Sequence, residues 1–142
     1  MKTLYTAQVL AKGGRDGHVR SEDGILDLPL SLPKALGGPG KAATNPEQLF
    51  AAGYAACFEN AVLHVARGQG QKLKATEVHA SVSIGPRVDG GFALSVSLVV
   101  GIAGLDLDAA EQLVANAHQV CPYSHAVRGN IDVKLETRII EG

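Results

Sequence analysis

Apolar and polar positions change period several times along the chain, and each change predicts an element. Residues 3–10 alternate weakly through Tyr5 and Val9 and read as a first strand. The next stretch, "KGGRDGHV", holds three glycines and Asp16, so it predicts a turn that displays Arg15 at a bend. Residues 27–45 carry an alternating Leu28, Leu30 and Leu32, but three prolines and three glycines exclude a regular helix and make poor central strand. A connection this long with an apolar stripe is expected to be an arm lying across a partner subunit or over a pocket. The pattern then becomes helical. Asn45 is a good N-cap, Pro46 suits the first helical position, and Gln48 completes a capping box. The helix should run through "PEQLFAAGYAACFENAVLHVAR" and stop at Gly68. From Leu49 to Phe58 it is apolar on every side, which predicts burial. Its small residues Ala51, Ala52, Gly53, Ala55 and Ala56 would let another helix approach closely.

Two strand-like runs follow, joined by the turn "DGG" at 89–91. The first alternates Val78, Ala80, Val82 and Ile84, the second is rich in Val and Leu, and together they predict a β-hairpin. Asp106 or Asp108 then caps a helix whose Ala110, Leu113, Val114 and Ala117 keep helical spacing. Pro122 ends it and opens a short helix closed by Gly129. A last strand alternates Ile131, Val133 and Leu135. This order predicts an α+β fold, antiparallel sheet packed against two main helices, in one domain over residues 1–142.

Composition narrows the function classes. With 13 basic and 14 acidic residues the chain has no excess charge to capture nucleic acid or an anionic lipid surface. A hydrophobic content of 46% is high for a small chain, and the excess apolar surface predicts a homodimer. The N-terminus lacks a signal-like apolar run, and no stretch reaches the roughly 20 apolar residues of a membrane span. The expected location is cytoplasmic, where paired cysteines lean towards metal binding or redox chemistry.

The chain has two cysteines, Cys57 inside "AACFENAV" and Cys121 inside "QVCPYSHA". Mid-helix apolar surroundings would make Cys57 an inert core residue unless a cation is delivered to it. Arg15 is a displayed guanidinium, and Glu47 could hold it in a planar bidentate pair. Glu47 and Cys57 are ten residues apart in sequence, about 15 Å along a straight helix. Either Arg15 bridges them, or one subunit supplies Glu47 and its partner Cys57. Cys121 precedes a proline at a helix N-terminus, which favours a thiolate and some freedom to move. The competing chemistry is zinc, with His118, Cys121 and His125 in H-x2-C-x3-H spacing and Cys57 as a fourth ligand. No dinucleotide-binding glycine pattern and no G-x-S-x-G elbow is present.

"TNPEQLFAAGYAACF" (44–58) together with "CPYSHAVRGNIDV" (121–133) resembles the organic hydroperoxide resistance protein family of the osmotically inducible protein C superfamily. "GGRDGHV" (13–19), "GGPGKAATNPEQ" (37–48) and "DGGFALSV" (89–96) fit as well, so the resemblance spans essentially the whole chain. Lys41 stands where a glycine is expected. The resemblance implies an intertwined homodimer and a thiol peroxidase for organic hydroperoxides. Cys57 is then the peroxidatic cysteine, Cys121 the resolving one, Arg15 the activating cation and Glu47 its orienting carboxylate. It implies no cofactor, and a dithiol reductant, a lipoyl group on a protein. Phe50, Tyr54 and Phe58, with the leucine-rich arm, are expected to line a pocket for alkyl or fatty-acid hydroperoxides. A non-catalytic dimeric binding module of the same fold, or the zinc module, would account for the thiols differently.

Overall fold

The computed structural model describes all residues from Met1 to Gly142. The chain divides into two compact units, Met1–Leu49 and Phe50–Gly142.

The first unit is built on a three-stranded antiparallel sheet of β1 (Val9–Lys12), β2 (His18–Ser21) and β3 (Asp27–Pro29), in that order. β1 starts later than the alternation suggested, because β2 offers it only four residues, from His18 opposite Lys12 to Ser21 opposite Val9. Between β1 and β2 lies a short 3₁₀ turn, Gly14–Asp16, which carries Arg15. Gly17 closes that turn. A Cβ there would lie 1.7 Å from the Lys12 carbonyl oxygen, so no other residue fits without moving the backbone.

Residues 27–45, expected as an arm across a partner subunit or a pocket, are anchored within this unit. Leu28 pairs with Val19 across β2 and β3, and Leu30 is buried. Asp16 accepts the Leu32 N–H at 3.0 Å, and the buried Ser31 hydroxyl accepts the Lys41 N–H at 3.1 Å. Local partners thus satisfy backbone groups that a long loop would otherwise leave to water.

The long helix α1 (Pro46–Gly68) follows. Asn45 caps it, its side chain accepting the Gln48 N–H at 2.8 Å. The Gln48 side chain does not close the expected box but accepts from the Thr44 hydroxyl at 2.8 Å.

In the second unit, β4 (Ala75–Pro86) and β5 (Phe92–Ala103) form the predicted antiparallel hairpin. After it come α2 (Leu107–Val120), α3 (Pro122–Val127) and β6 (Lys134–Ile139). Asp106 caps α2, accepting the Ala109 N–H at 2.8 Å. The sheet order is β4-β5-β6, and β6 runs parallel to β5. A parallel neighbour needs a crossover, and α2 with α3 provides it. The α+β class therefore holds, with one parallel pair beside the antiparallel hairpin.

β5 is the central strand, and its alternate residues Val96, Leu98, Val100 and Ile102 are buried. Against them pack the predicted α2 stripe and an α1 stripe of Tyr54, Phe58, Ala61, Val62 and Ala66. Each large side chain buried this way contributes about 1.5–3 kcal/mol. Ala52 and Ala56, on the same helix, are exposed, so α1 is not buried on all sides within one chain. Contrary to the expectation from sequence, α1 is by length and composition apolar enough to cross a membrane, yet its largest side chains are committed to this core.

Candidate active site

Cys57 lies on α1 between Tyr54 and Phe58 and is half-buried. Cys121 is buried at the junction of α2 and α3, ending the first and capping the second. Pro122 sets that junction, because it cannot continue α2 but suits the first position of α3. The topology brings together thiols that are 64 positions apart in sequence. Both are free, and their sulfurs lie 3.9 Å apart. A disulfide requires about 2.05 Å, so the pair is in contact but unbonded.

The second unit by itself does not make Cys57 acidic. Burial pushes its thiol up, and the neighbouring Cys121 pushes it further. The Tyr123 backbone N–H, in the first turn of α3, opposes both by hydrogen bonding to the sulfur.

The first unit holds the cation. Arg15 and Glu47 form the planar pair that the sequence suggested, with Nη1 to Oε1 at 2.6 Å and Nη2 to Oε2 at 3.0 Å. Glu47 is 15% exposed and Arg15 34%, so the pair is partly shielded from water. The hydrogen bond from Arg15 holds the Glu47 carboxyl below its ordinary range, and the bond to Glu47 raises Arg15. A bidentate pair fixes the guanidinium plane, leaving its charge oriented instead of swinging on a flexible stem.

Of the residues expected to line a pocket, Phe50 borders an open cavity of about 310 Å³, shared with Arg87, Phe92, Leu94 and Ile131. Tyr54 and Phe58 are fully buried and present no surface, because the α1 stripe that contains them is the core of the unit.

Sequence reasoning missed Ser124 and noted His118 only within a zinc-like spacing. Ser124 is fully buried, and its hydroxyl lies 2.7 Å from the Tyr54 hydroxyl and 2.9 Å from His118 Nδ1. His118 is therefore half-buried, with its Nδ1 turned to Ser124. Burial, and then Arg128, lower its pKa and keep the ring neutral. No three His, Cys, Asp or Glu side chains cluster as metal ligands in the chain. The sole sequence signal for Ser124 was its place three residues after Cys121 in the same short helix.

The fold and the site define an α+β protein with two free cysteines in contact at a helix junction and a separately held Arg–Glu pair. Residues 38–136 match the family described as OsmC-like protein. The organic hydroperoxide resistance protein OhrB of Bacillus subtilis is 51% identical over 136 residues, covering 95% of this chain and 98% of that protein. A crystal structure of an organic hydroperoxide resistance protein from Legionella pneumophila is 54% identical, with TM-score 0.93, over 96% of this chain and 99% of the other. Another, from Elizabethkingia anophelis, is 48% identical, with TM-score 0.94, over 99% and 100%. The chain belongs to the OsmC-like family, among its organic hydroperoxide resistance proteins.

Proposed function

We propose that this protein acts in organic hydroperoxide resistance as a cysteine-based peroxidase, reducing alkyl or fatty-acid hydroperoxides to alcohols. The names of its relatives support the substrate class. The observation that carries the chemistry is the 3.9 Å contact between two free thiols. Cys57 thiolate attacks the terminal oxygen of the hydroperoxide, and the O–O bond breaks. Cys57 becomes a sulfenic acid, and the alkoxide leaves as the alcohol after taking a proton. Cys121 sulfur then attacks the Cys57 sulfur, the S–O bond breaks, and hydroxide departs as water with the Cys121 proton. An external dithiol reduces the resulting disulfide and is itself oxidised to a disulfide. A lipoyl group on a protein partner suits this role. The two cysteines carry both electrons.

Arg15 has the role of stabilising the Cys57 thiolate and the charge developing on the departing oxygen, and Glu47 that of orienting Arg15. Lowering a cysteine from its ordinary value near 8.5 to about 6 takes roughly 3.4 kcal/mol. Burial of Cys57 works in the opposite direction, so the reaction depends on that cation. The active species is a homodimer in the cytoplasm, in which the small-residue face of α1, including exposed Ala52 and Ala56, meets the partner.

Intact-mass measurement after one equivalent of cumene hydroperoxide tests the reading. The wild type should lose about two mass units, and Cys121→Ser should gain a trappable sulfenic acid on Cys57. An unchanged mass in both proteins would overturn the peroxidase.

A further inference from the structure

α3 has six residues, too few to hold a helix by its own hydrogen bonds, so its position must come from the elements around it. Ser124 supplies most of the polar part of that anchorage. Its hydroxyl ties α3 to Tyr54 of α1 and to His118 of α2 at once. Arg128 adds a second tie, donating to the His118 carbonyl at 2.6 Å. Tyr54 precedes Cys57 by three residues on α1, and Ser124 follows Cys121 by three on α3. The Tyr54–Ser124 bond and the thiol contact are thus two rungs between the same two segments, one helical turn apart. A third contact completes the seat: the Tyr123 ring lies over Gly53, where a Cβ would come within 2.7 Å of its hydroxyl.

Counting protons sets the direction of the chain of hydrogen bonds. The buried Tyr54 hydroxyl has Ser124 as its partner. If Tyr54 donates to Ser124, and Ser124 to His118 Nδ1, every proton in the chain is used. The reverse order strands the tyrosine proton in the core. His118 must then be neutral, with its own proton on Nε2.

We infer that Ser124, held between Tyr54 and His118, is a positioning residue that keeps Cys121 in register with Cys57 for disulfide closure. The inference rests on the peroxidase reading only for its place in the cycle. Bond formation must bring the sulfurs from 3.9 Å to about 2.05 Å. Displacements of about 1 Å away from the reacting atoms can cost on the order of a hundredfold. Freeing α3 therefore slows closure; it also loosens the Tyr123 N–H that opposes the rise of the Cys57 thiol, so the first attack is spared only where pH has already made Cys57 a thiolate.

Two assays on the full-length protein separate the steps. Single turnover with cumene hydroperoxide and a sulfenic-acid trap reads attack and closure in turn. Diamide, which takes up the two electrons and two protons of the thiols, drives closure without peroxide. Ser124→Ala should close at least ~10-fold more slowly in both assays. At a pH where Cys57 is thiolate in both proteins, its sulfenic acid should form within about twofold of the wild-type rate. His118→Phe should behave alike, and His118→Asn, which keeps an acceptor near the Nδ1 position, should restore closure. His118→Phe also keeps the test open if Ser124→Ala proves too unstable to purify. Closure within about twofold of wild type in both variants, or no advantage of Asn over Phe, would overturn the inference. A wild type that closes with diamide but ignores cumene hydroperoxide would reject the peroxidase and leave the positioning role to the diamide result.

Discussion

Replacing Gly53 with alanine sets two effects of opposite sign against each other. Gly53 lies inside α1, where alanine is preferred over glycine by about 1 kcal/mol. The new methyl group, however, would sit 2.7 Å from the Tyr123 hydroxyl, 3.1 Å from Cε2 and 3.2 Å from Cζ. Ordinary contact begins near 3.4 Å, so the ring must retreat by several tenths of an ångström. Overpacking of this kind costs about 1–3 kcal/mol. Tyr123 is 39% exposed, so it has room to swing outward, which puts the cost at the lower end of that range. The net change in stability for Gly53→Ala should fall between about zero and 1 kcal/mol of loss. In a Tyr123→Ala background the clash is gone, and the same substitution should stabilise by about 1 kcal/mol. A four-protein urea-denaturation cycle at fixed protein concentration measures the difference, a coupling of about 1–2 kcal/mol. The displaced ring should also carry the Tyr123 N–H away from Cys57, raising the Cys57 pKa in a thiolate-absorbance titration. A coupling below about 0.3 kcal/mol, with an unchanged Cys57 titration, would refute the packing of α3 on Gly53.

Other outcomes follow from the first unit and from the assembly. The Arg15 hydrogen bond holds Glu47 below its ordinary value of 4.5, so the folded state binds fewer protons there than the unfolded state. The pair's stabilisation is complete above that value and is lost as pH falls through the depressed one. Screening limits it to about 0.5–1 kcal/mol, and Glu47→Gln should remove this acid-dependent part of the urea midpoint. A Glu47→Gln protein with the wild-type acid profile would argue against the pair. Leu30 is 7% exposed, so Leu30→Ala should cost about 2–4 kcal/mol in thermal unfolding. A loss below 1 kcal/mol would show that residues 27–45 are not anchored by this side chain. Light scattering should give twice the chain mass of 14.7 kDa at micromolar concentration, and a single-chain mass would reject the homodimer.

Much of the local structure was legible because local chemistry decides it. Asn45 and Pro46 start α1, Asp106 starts α2, and Pro122 separates α2 from α3, each through backbone groups within a few residues. The period-2 burial of β5 and the helical stripe of α2 follow in the same way from side-chain spacing. The sequence also singled out Cys57, Cys121, Arg15 and Glu47, the last two as a bidentate pair.

Other features depend on which segments meet, and periodicity carries no information about that. β1 is short because β2 offers it four partners, and β6 is parallel because two helices intervene before it. Tyr54 and Phe58 read as pocket lining but belong to the core, since a stripe of α1 does not reveal which face the sheet will cover. Ser124 had no distinguishing pattern and His118 stood out only in a zinc-like spacing, because their importance arises from one hydroxyl reaching two other helices. The thiol contact is of the same kind. The sequence could name two cysteines 64 positions apart, but only the docking of α3 on α1 brings their sulfurs to 3.9 Å.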